Sequence, residues 1–381
     1  MNKQDKSEIV KILSNLVSIN TAYPPAHSDK INSFIYNYLK YSKLNLLLKG
    51  PNKNKISLIA KNFSGNAKSI VFNSHIDTVQ PNKKDWKTNP YKLTKIGNYL
   101  HGLGSVNCKG SAAVHIYLAK KFNQFFPKIS EKVTFTFVTD EENLGSEGSF
   151  YLRQNQLINP HTLILGAPTN NNLIVEERGV FWTSVYLKGK TSHAGEPDKG
   201  INAIEKANKI IFKLQTSYKK YIQRYNCKNQ KSTINIGLIK GGHNVNVVPA
   251  QAYFQVDRRI TKKESIRSSF KEMKKIIQKE DKTAKVVFNT GTNSFASNKK
   301  NQYLQNLYHS YLDVKGKKPK FLSCIGVSDG RYFANDNINI INIGPGDGDQ
   351  GHRSNEKMKI NELYDYFKIL FKFFQNINKN V

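Results

Sequence analysis

Apolar positions in this chain follow two alternating rhythms. Short runs rich in β-branched residues at 56–60, 69–74, 133–139, 162–165 and 338–343 predict strands buried on both faces. Ile9, Val10, Ile12, Leu13, Leu16 and Val17, followed by 31–39 and 110–122, repeat with the spacing of amphipathic helices. That alternation predicts an α/β layer in which helices cover a sheet. The pattern changes after 178: a strand at 181–187, a long helix from 201 to about 225, strands at 232–238 and 251–256, a helix at 263–280 and a strand at 285–289. Strand, helix, strand, strand, helix, strand is the ferredoxin-like order. A strand running into Gly344 and a helix at 362–374 then resume the first pattern. The expected fold class is α/β: a layered catalytic-type domain of 1–178 and 291–381, interrupted by an α+β ferredoxin-like domain of 179–290.

Residues able to carry chemistry gather just after the predicted strand ends, at His75, Asp140-Glu141-Glu142, Gly166 and Gly344, where open α/β sheets place their ligands. In His75-Ile76-Asp77 an imidazole that binds metal through one nitrogen has a carboxylate close by to support it. Such a triplet alone is weak evidence. Adjacent carboxylates such as Glu141 and Glu142 can divide the work, one ligating metal and the other taking a proton from water. A lone Glu-Glu pair is usually a solvated surface; here the order and spacing of the pieces give it meaning. Further pieces are Gly102-Leu103-Gly104-Ser105-Val106-Asn107-Cys108-Lys109-Gly110 and Gly344-Pro345-Gly346 running to His352.

Together these motifs resemble the co-catalytic zinc metallopeptidase and deacylase family that includes acetylornithine deacetylase, succinyl-diaminopimelate desuccinylase, aminoacylase and the glutamate carboxypeptidases. The resemblance runs from Pro24-Pro25 to the last helix. It implies a two-zinc catalytic domain, an inserted lid and dimerisation domain, a homodimer, and hydrolysis of amide bonds in N-acyl amino acids or small peptides. By motif it implies that His75 ligates one metal with Asp77 behind it, that Glu141 is the general base, and that Glu142 and His352 ligate the second metal. In Gly189-Lys190-Thr191-Ser192-His193-Ala194-Gly195 it makes His193 the residue that polarises the scissile carbonyl. Asn246 and Arg259 match positions that hold the substrate carboxylate. Ser328-Asp329-Gly330 resembles a cleft-lining segment, and a turn explains it nearly as well.

Three positions depart from the family pattern. Asn107 stands where the family has the aspartate that bridges the metals, Ala167 where it has a ligating glutamate, and Leu103 where it has an arginine. Of the three ligand carboxylates that balance two dications, only Glu142 remains, so two close zinc ions would be under-compensated. One metal is then expected, zinc first and cobalt or manganese as alternatives, held by Glu142, His352, the carbonyl of Asn107 and a water. Asp347, Asp349 and Cys108 are substitutes of lower standing. A metal-dependent hydrolase is the leading reading; an inactive descendant that binds an acylated amino acid or a partner protein is the alternative. His27, His101, His115, His161, His243 and His309 match no motif and read as surface or core.

Composition adds limits. The 381 residues carry 59 basic against 28 acidic side chains, a formal charge of +31. The lysines are scattered and no basic run is interleaved with aromatics, which argues against specific nucleic-acid binding despite the charge. Three widely spaced cysteines argue for a reducing compartment, and the cytoplasm is the expected location. No apolar stretch is long enough to span a bilayer, so no membrane partner is expected.

Overall fold

Why the inner strands read as unbroken apolar runs is plain from the topology. In the computed structural model, which describes residues 2–324 and 326–379, the principal strands are β1 (Asn45–Asn52), β2 (Lys55–Lys61), β3 (Ser69–His75), β4 (Val133–Val138), β5 (Pro160–Gly166), β6 (Leu173–Glu177), β7 (Gly179–Lys188), β8 (Thr233–Gly241), β9 (Gln251–Ile260), β10 (Lys285–Thr292) and β11 (Asn339–Ile343). The principal helices are α1 (Lys3–Ser18), α2 (Asp29–Leu39), α3 (Lys109–Phe125), α4 (Ala203–Lys213), α5 (Ile266–Glu280), α6 (Gln302–Lys315) and α7 (Ile360–Lys379). Two compact units result. One comprises Met1–Val175, Ser297–Leu322 and Ser328–Val381; the other comprises Glu176–Ala296 and Ser323–Val327. The sequence-based boundaries left that last segment in the first domain.

In the first unit, strands of the large sheet run in the order β6-β11-β5-β3-β4-β2-β1. The inner four, β11, β5, β3 and β4, are parallel, so their carboxyl ends open on one edge. Every residue of β3 and β4 is buried, as expected of parallel strands covered on both faces. Phe72 of β3 packs against Phe135 of β4 and Phe374 of α7, with ring centroids 5.6 and 4.8 Å apart. Helix α1 opens with a capping box: Asn2 Oδ1 accepts from the Asp5 amide and Asp5 Oδ2 from the Asn2 amide, both at 2.8 Å.

The second unit has the sheet order β8-β9-β7-β10, antiparallel throughout, which is the ferredoxin-like arrangement. Its core joins Phe181, Val185, Phe254 and Val256 of the sheet to Ala207, Ile210, Met273 and Ile277 of α4 and α5. Strand β9 alternates between buried and more exposed residues, so helices cover one face of this sheet and leave the other open.

Differences from the sequence reading have local causes. The single helix expected from 201 to about 225 is α4 followed by a π-turn at Leu214–Tyr218, a further turn at Lys219–Ile222 and a 3-10 turn at Gln223–Tyr225. Thr216 Oγ1 donates to the Phe212 carbonyl at 2.7 Å, a bond that competes with the regular helical ladder. Strands β1 and β6 and helix α6 were not anticipated. Among the described residues, no helix is long and apolar enough to cross a membrane.

Candidate active site

The parallel edge of the large sheet collects the chemistry. His75 is the last residue of β3, Glu141 and Glu142 follow β4, Ala167 follows β5, and Gly344 follows β11 on the path to His352. Asn107 closes the loop ahead of α3. That loop is fixed by a residue the sequence reading missed. A small antiparallel pairing of Lys357–Lys359 with Tyr99–His101 brings Glu356 beside it. The buried Glu356 carboxylate accepts from the amides of Gly104 (2.9 Å), Val106 (2.7 Å) and Asn107 (2.9 Å). Burial pushes its carboxyl up to about 7. Lys109 is equally buried; its Nζ donates to the Ile19 carbonyl at 2.9 Å, and burial draws its ammonium down to about 7. A buried charged residue in a loop has no periodic signature in sequence.

Six of the sequence-identified residues meet here. His75 Nε2 lies 3.2 Å from Asn107 Oδ1 and 3.9 Å from Glu141 Oε2. Its Nδ1 faces the Asp77 carbonyl at 3.1 Å and the Asp77 carboxylate at 3.6 Å. Asp77 Oδ2 accepts from the Glu142 amide at 3.0 Å, so the aspartate of the His75-Ile76-Asp77 motif also holds the carboxylate pair. Glu142 lies 2.9 Å from His352 Nε2, and that contact raises the imidazole above its ordinary range. Asn107 spans the gap: its Nδ2 donates to Glu142 at 2.8 Å and faces His352 Nε2 at 3.0 Å. Burial pushes the Glu141 carboxyl up to about 8, against the pull of His75. A second unanticipated residue, Arg331, stands two positions after Asp329. Its buried guanidinium lies 3.5 Å from Glu141 and donates to the Tyr332 hydroxyl at 2.9 Å.

His193, Asn246 and Arg259 belong to the second unit. His193 and Asn246 are exposed neighbours, joined through the Ala194 amide donating to the Asn246 carbonyl at 2.9 Å. Arg259 is engaged by Asp257 through two bonds of 2.8 and 3.0 Å. The substitute ligands stay outside the cluster: Cys108 is buried and turns its Sγ to the Gly166 carbonyl at 3.0 Å, while Asp347 and Asp349 are exposed.

Donor chemistry decides what cation this cluster fits. His75, Glu141 and Glu142 each offer a ligand atom, all within 4.8 Å of one another, and His352 adjoins them. Imidazole nitrogens and carboxylate oxygens are a donor set that suits a divalent metal ion. Asn107 and Ala167 bring no charge, so a second dication would lack counter-charge.

A parallel-edged α/β sheet with this donor cluster defines a metal-dependent hydrolase. The profile of Peptidase family M20/M25/M40 matches residues 71–376, and the chain belongs to that family of metal-dependent hydrolases of amide bonds. It is 30% identical over 262 residues to the acetylornithine deacetylase of Buchnera aphidicola subsp. Schizaphis graminum, covering 66% of this chain and 68% of that one. With the succinyl-diaminopimelate desuccinylase of Buchnera aphidicola subsp. Acyrthosiphon pisum it shares 27% over 331 residues, covering 84% and 85%. Among solved structures, an M20 family metallo-carboxypeptidase from Sulfolobus solfataricus superposes over 100% of both chains with a TM-score of 0.78 at 15% identity, a likeness of fold.

Proposed function

We propose that the chain hydrolyses the amide bond of an N-acyl amino acid or small peptide, with one divalent metal ion in place of the family's two. The carrying observation is the cluster of Glu141, Glu142, His75 and His352 at one sheet edge, kept although Asn107 and Ala167 supply no carboxylate. Glu142 and His352 would hold the ion together with the Asn107 carbonyl, beside which His75 stands at 3.2 Å, zinc first, with cobalt or manganese as alternatives. When bound, it supplies Lewis-acid polarisation of the carbonyl and a more acidic water. Glu141 serves as general base, placed 3.9 Å from His75 and 3.5 Å from Arg331 at the cluster, where a bound cation would favour its charged form. It takes a proton from the attacking water and returns it to the departing amine. Arg331 keeps that carboxylate aimed, and Asp77 fixes His75 and the Glu142 backbone. His193 is proposed to polarise the carbonyl, and Asn246 and Arg259 to receive the substrate carboxylate. A homodimer is also proposed, supported by Ile204, Phe212, Ile239 and Val245, exposed apolar residues of the second unit. A cytoplasmic location is supported by the odd number and wide spacing of Cys108, Cys227 and Cys324, which do not read as a disulfide framework.

One observation favours a second reading, a binding protein without turnover. Asn107 Nδ2 donates to Glu142 and lies against His352 Nε2, beside the place a cation would take. Elemental analysis after dialysis against zinc, paired with assays on N-acyl amino acids, separates the two. Hydrolysis with about one zinc per chain, and a fall in kcat of about 10²–10⁴-fold in Glu141→Gln with metal retained, supports the enzyme. Neither zinc nor turnover would leave the binding reading. Asn107→Asp with Ala167→Glu is expected to raise both the metal content and the rate.

A further inference from the structure

The open face of the second unit's sheet carries a row of side chains that no stretch of sequence displays. Cross-strand register places Lys240 of β8 opposite Tyr253 of β9, Tyr253 opposite Tyr186 of β7, and Tyr186 opposite Lys285 of β10. Lysine, tyrosine, tyrosine and lysine therefore form one line across all four strands. The tyrosine rings stack on each other, with centroids 5.6 Å apart and planes inclined by 20°, which leaves their outer faces for a further ring. Tyr186 is 44% exposed. Two residues along β7, Lys188 stands on the same face as Tyr186. These residues line a groove of about 990 Å³ with His243 and Gln251 on its wall and no carboxylate among its lining residues. Lys188, Lys240 and Lys285 are exposed.

We propose that this groove binds single-stranded nucleic acid. A base offers a planar face that stacks on an aromatic ring whatever its identity, and the backbone offers phosphates to lysines. A four-stranded sheet backed by helices, with aromatics on its two central strands, is a recurrent platform for two or three unstacked bases. Here the central strands β7 and β9 supply the rings, while the outer strands β8 and β10 supply lysines three strand spacings apart, about 14 Å. A duplex hides its base faces and cannot use the tyrosines. The site is separate from the amide-hydrolase reading and stands or falls without it. It also supplies the interleaving of aromatic and basic residues that the sequence lacks, because strand pairing brings together positions 186, 240, 253 and 285.

The test is fluorescence anisotropy of the full chain with a fluorescein-labelled mixed-sequence single strand of about ten nucleotides, against the same sequence as duplex and against heparin, at physiological salt. The single strand is expected to bind more tightly than either competitor. Tyr186→Ala with Tyr253→Ala weakens it by tenfold or more, while Tyr186→Phe with Tyr253→Phe leaves it unchanged. Lys188→Gln lowers the salt slope by about 0.7. Should the alanine pair fail to fold by circular dichroism, Lys188→Gln, Lys240→Gln and Lys285→Gln together are compared with the charge-matched exposed set Lys11→Gln, Lys87→Gln and Lys279→Gln. Only the groove set should weaken binding. Equal binding by the alanine pair, equal loss in both lysine sets, or equal affinity for duplex and heparin would overturn the proposal and leave adsorption on dispersed charge.

Discussion

At the scale of single residues, the most exposed assumption concerns a histidine that matches no motif. His115 is fully buried; its Nδ1 meets Ser74 Oγ at 2.8 Å and its Nε2 meets the Tyr366 hydroxyl at 2.7 Å. Both neighbours can donate or accept, so a neutral ring is fully satisfied and a charged one is not compensated. Burial accordingly draws the imidazole from 6.5 down to about 3. The folded value lies below the unfolded one, so the contribution to stability is complete above pH 6.5 and is lost as pH falls toward 3. In urea unfolding at a series of pH values, the parent should lose about 3 kcal/mol more than His115→Gln between pH 8 and pH 4.5. Parallel curves would mean that the ring is charged in the fold. His75, Glu141 and Glu142 were legible in sequence because each sits at or just after a strand end. Arg331 and Glu356 were not, because only tertiary contact gives a loop charge its role.

At the scale of elements, the loop from Gly102 to Asn107 is the part most dependent on a distant residue. It has no ladder of its own, and its amides converge on Glu356, about 250 residues away in the chain. Glu356→Gln keeps the shape but turns an amide NH₂ toward the Gly104 or the Val106 and Asn107 N–H groups. A loss of about 2 kcal/mol is expected, read as a lowered melting temperature, together with weaker zinc retention because Asn107 is no longer held. Unchanged retention would show that Asn107 takes no part in binding metal. The end of β5 makes a similar demand of a different kind. A Cβ added at Gly166 would stand 2.5 Å from Ser111 Cβ on α3 and 2.8 Å from Ser74 Oγ. Gly166→Ala should cost about 1–3 kcal/mol, visible as a fall in the urea midpoint. Helix α6, by contrast, carried ordinary signals that went unread: Asn301 caps its start through the Tyr303 and Leu304 amides, and Gly316 ends it at φ 65°. Its apolar face, Leu304, Leu307 and Tyr311, follows helical spacing. Strand β1 gave no such warning, since Pro51 and three asparagines lie in or beside it and most of its residues are exposed.

At the scale of the whole molecule, the two units have separate apolar clusters, one around Phe72, Phe135 and Phe374 and the other around Phe181, Phe254 and Ile277. Periodicity in the sequence located both, because each unit buries its own helix stripes and strand faces. It could not reveal the tyrosine and lysine row, which exists only once four strands are paired. Separate cores imply separable cooperativity, since a domain melts as a unit when its own apolar contacts fail. Phe72→Ala and Phe254→Ala, both fully buried positions, should each remove about 3–5 kcal/mol from one core. In scanning calorimetry each is expected to move one transition down and leave the other in place. The charge of +31 acts on both units together, so added salt should raise both transitions by relieving self-repulsion. The two perturbations therefore distinguish local from global stability in one instrument. If Phe254→Ala lowers both transitions by the same amount, the units fold as one cooperative body, and a variant in the second sheet must be checked for its effect on the metal cluster before any loss of activity is assigned to chemistry.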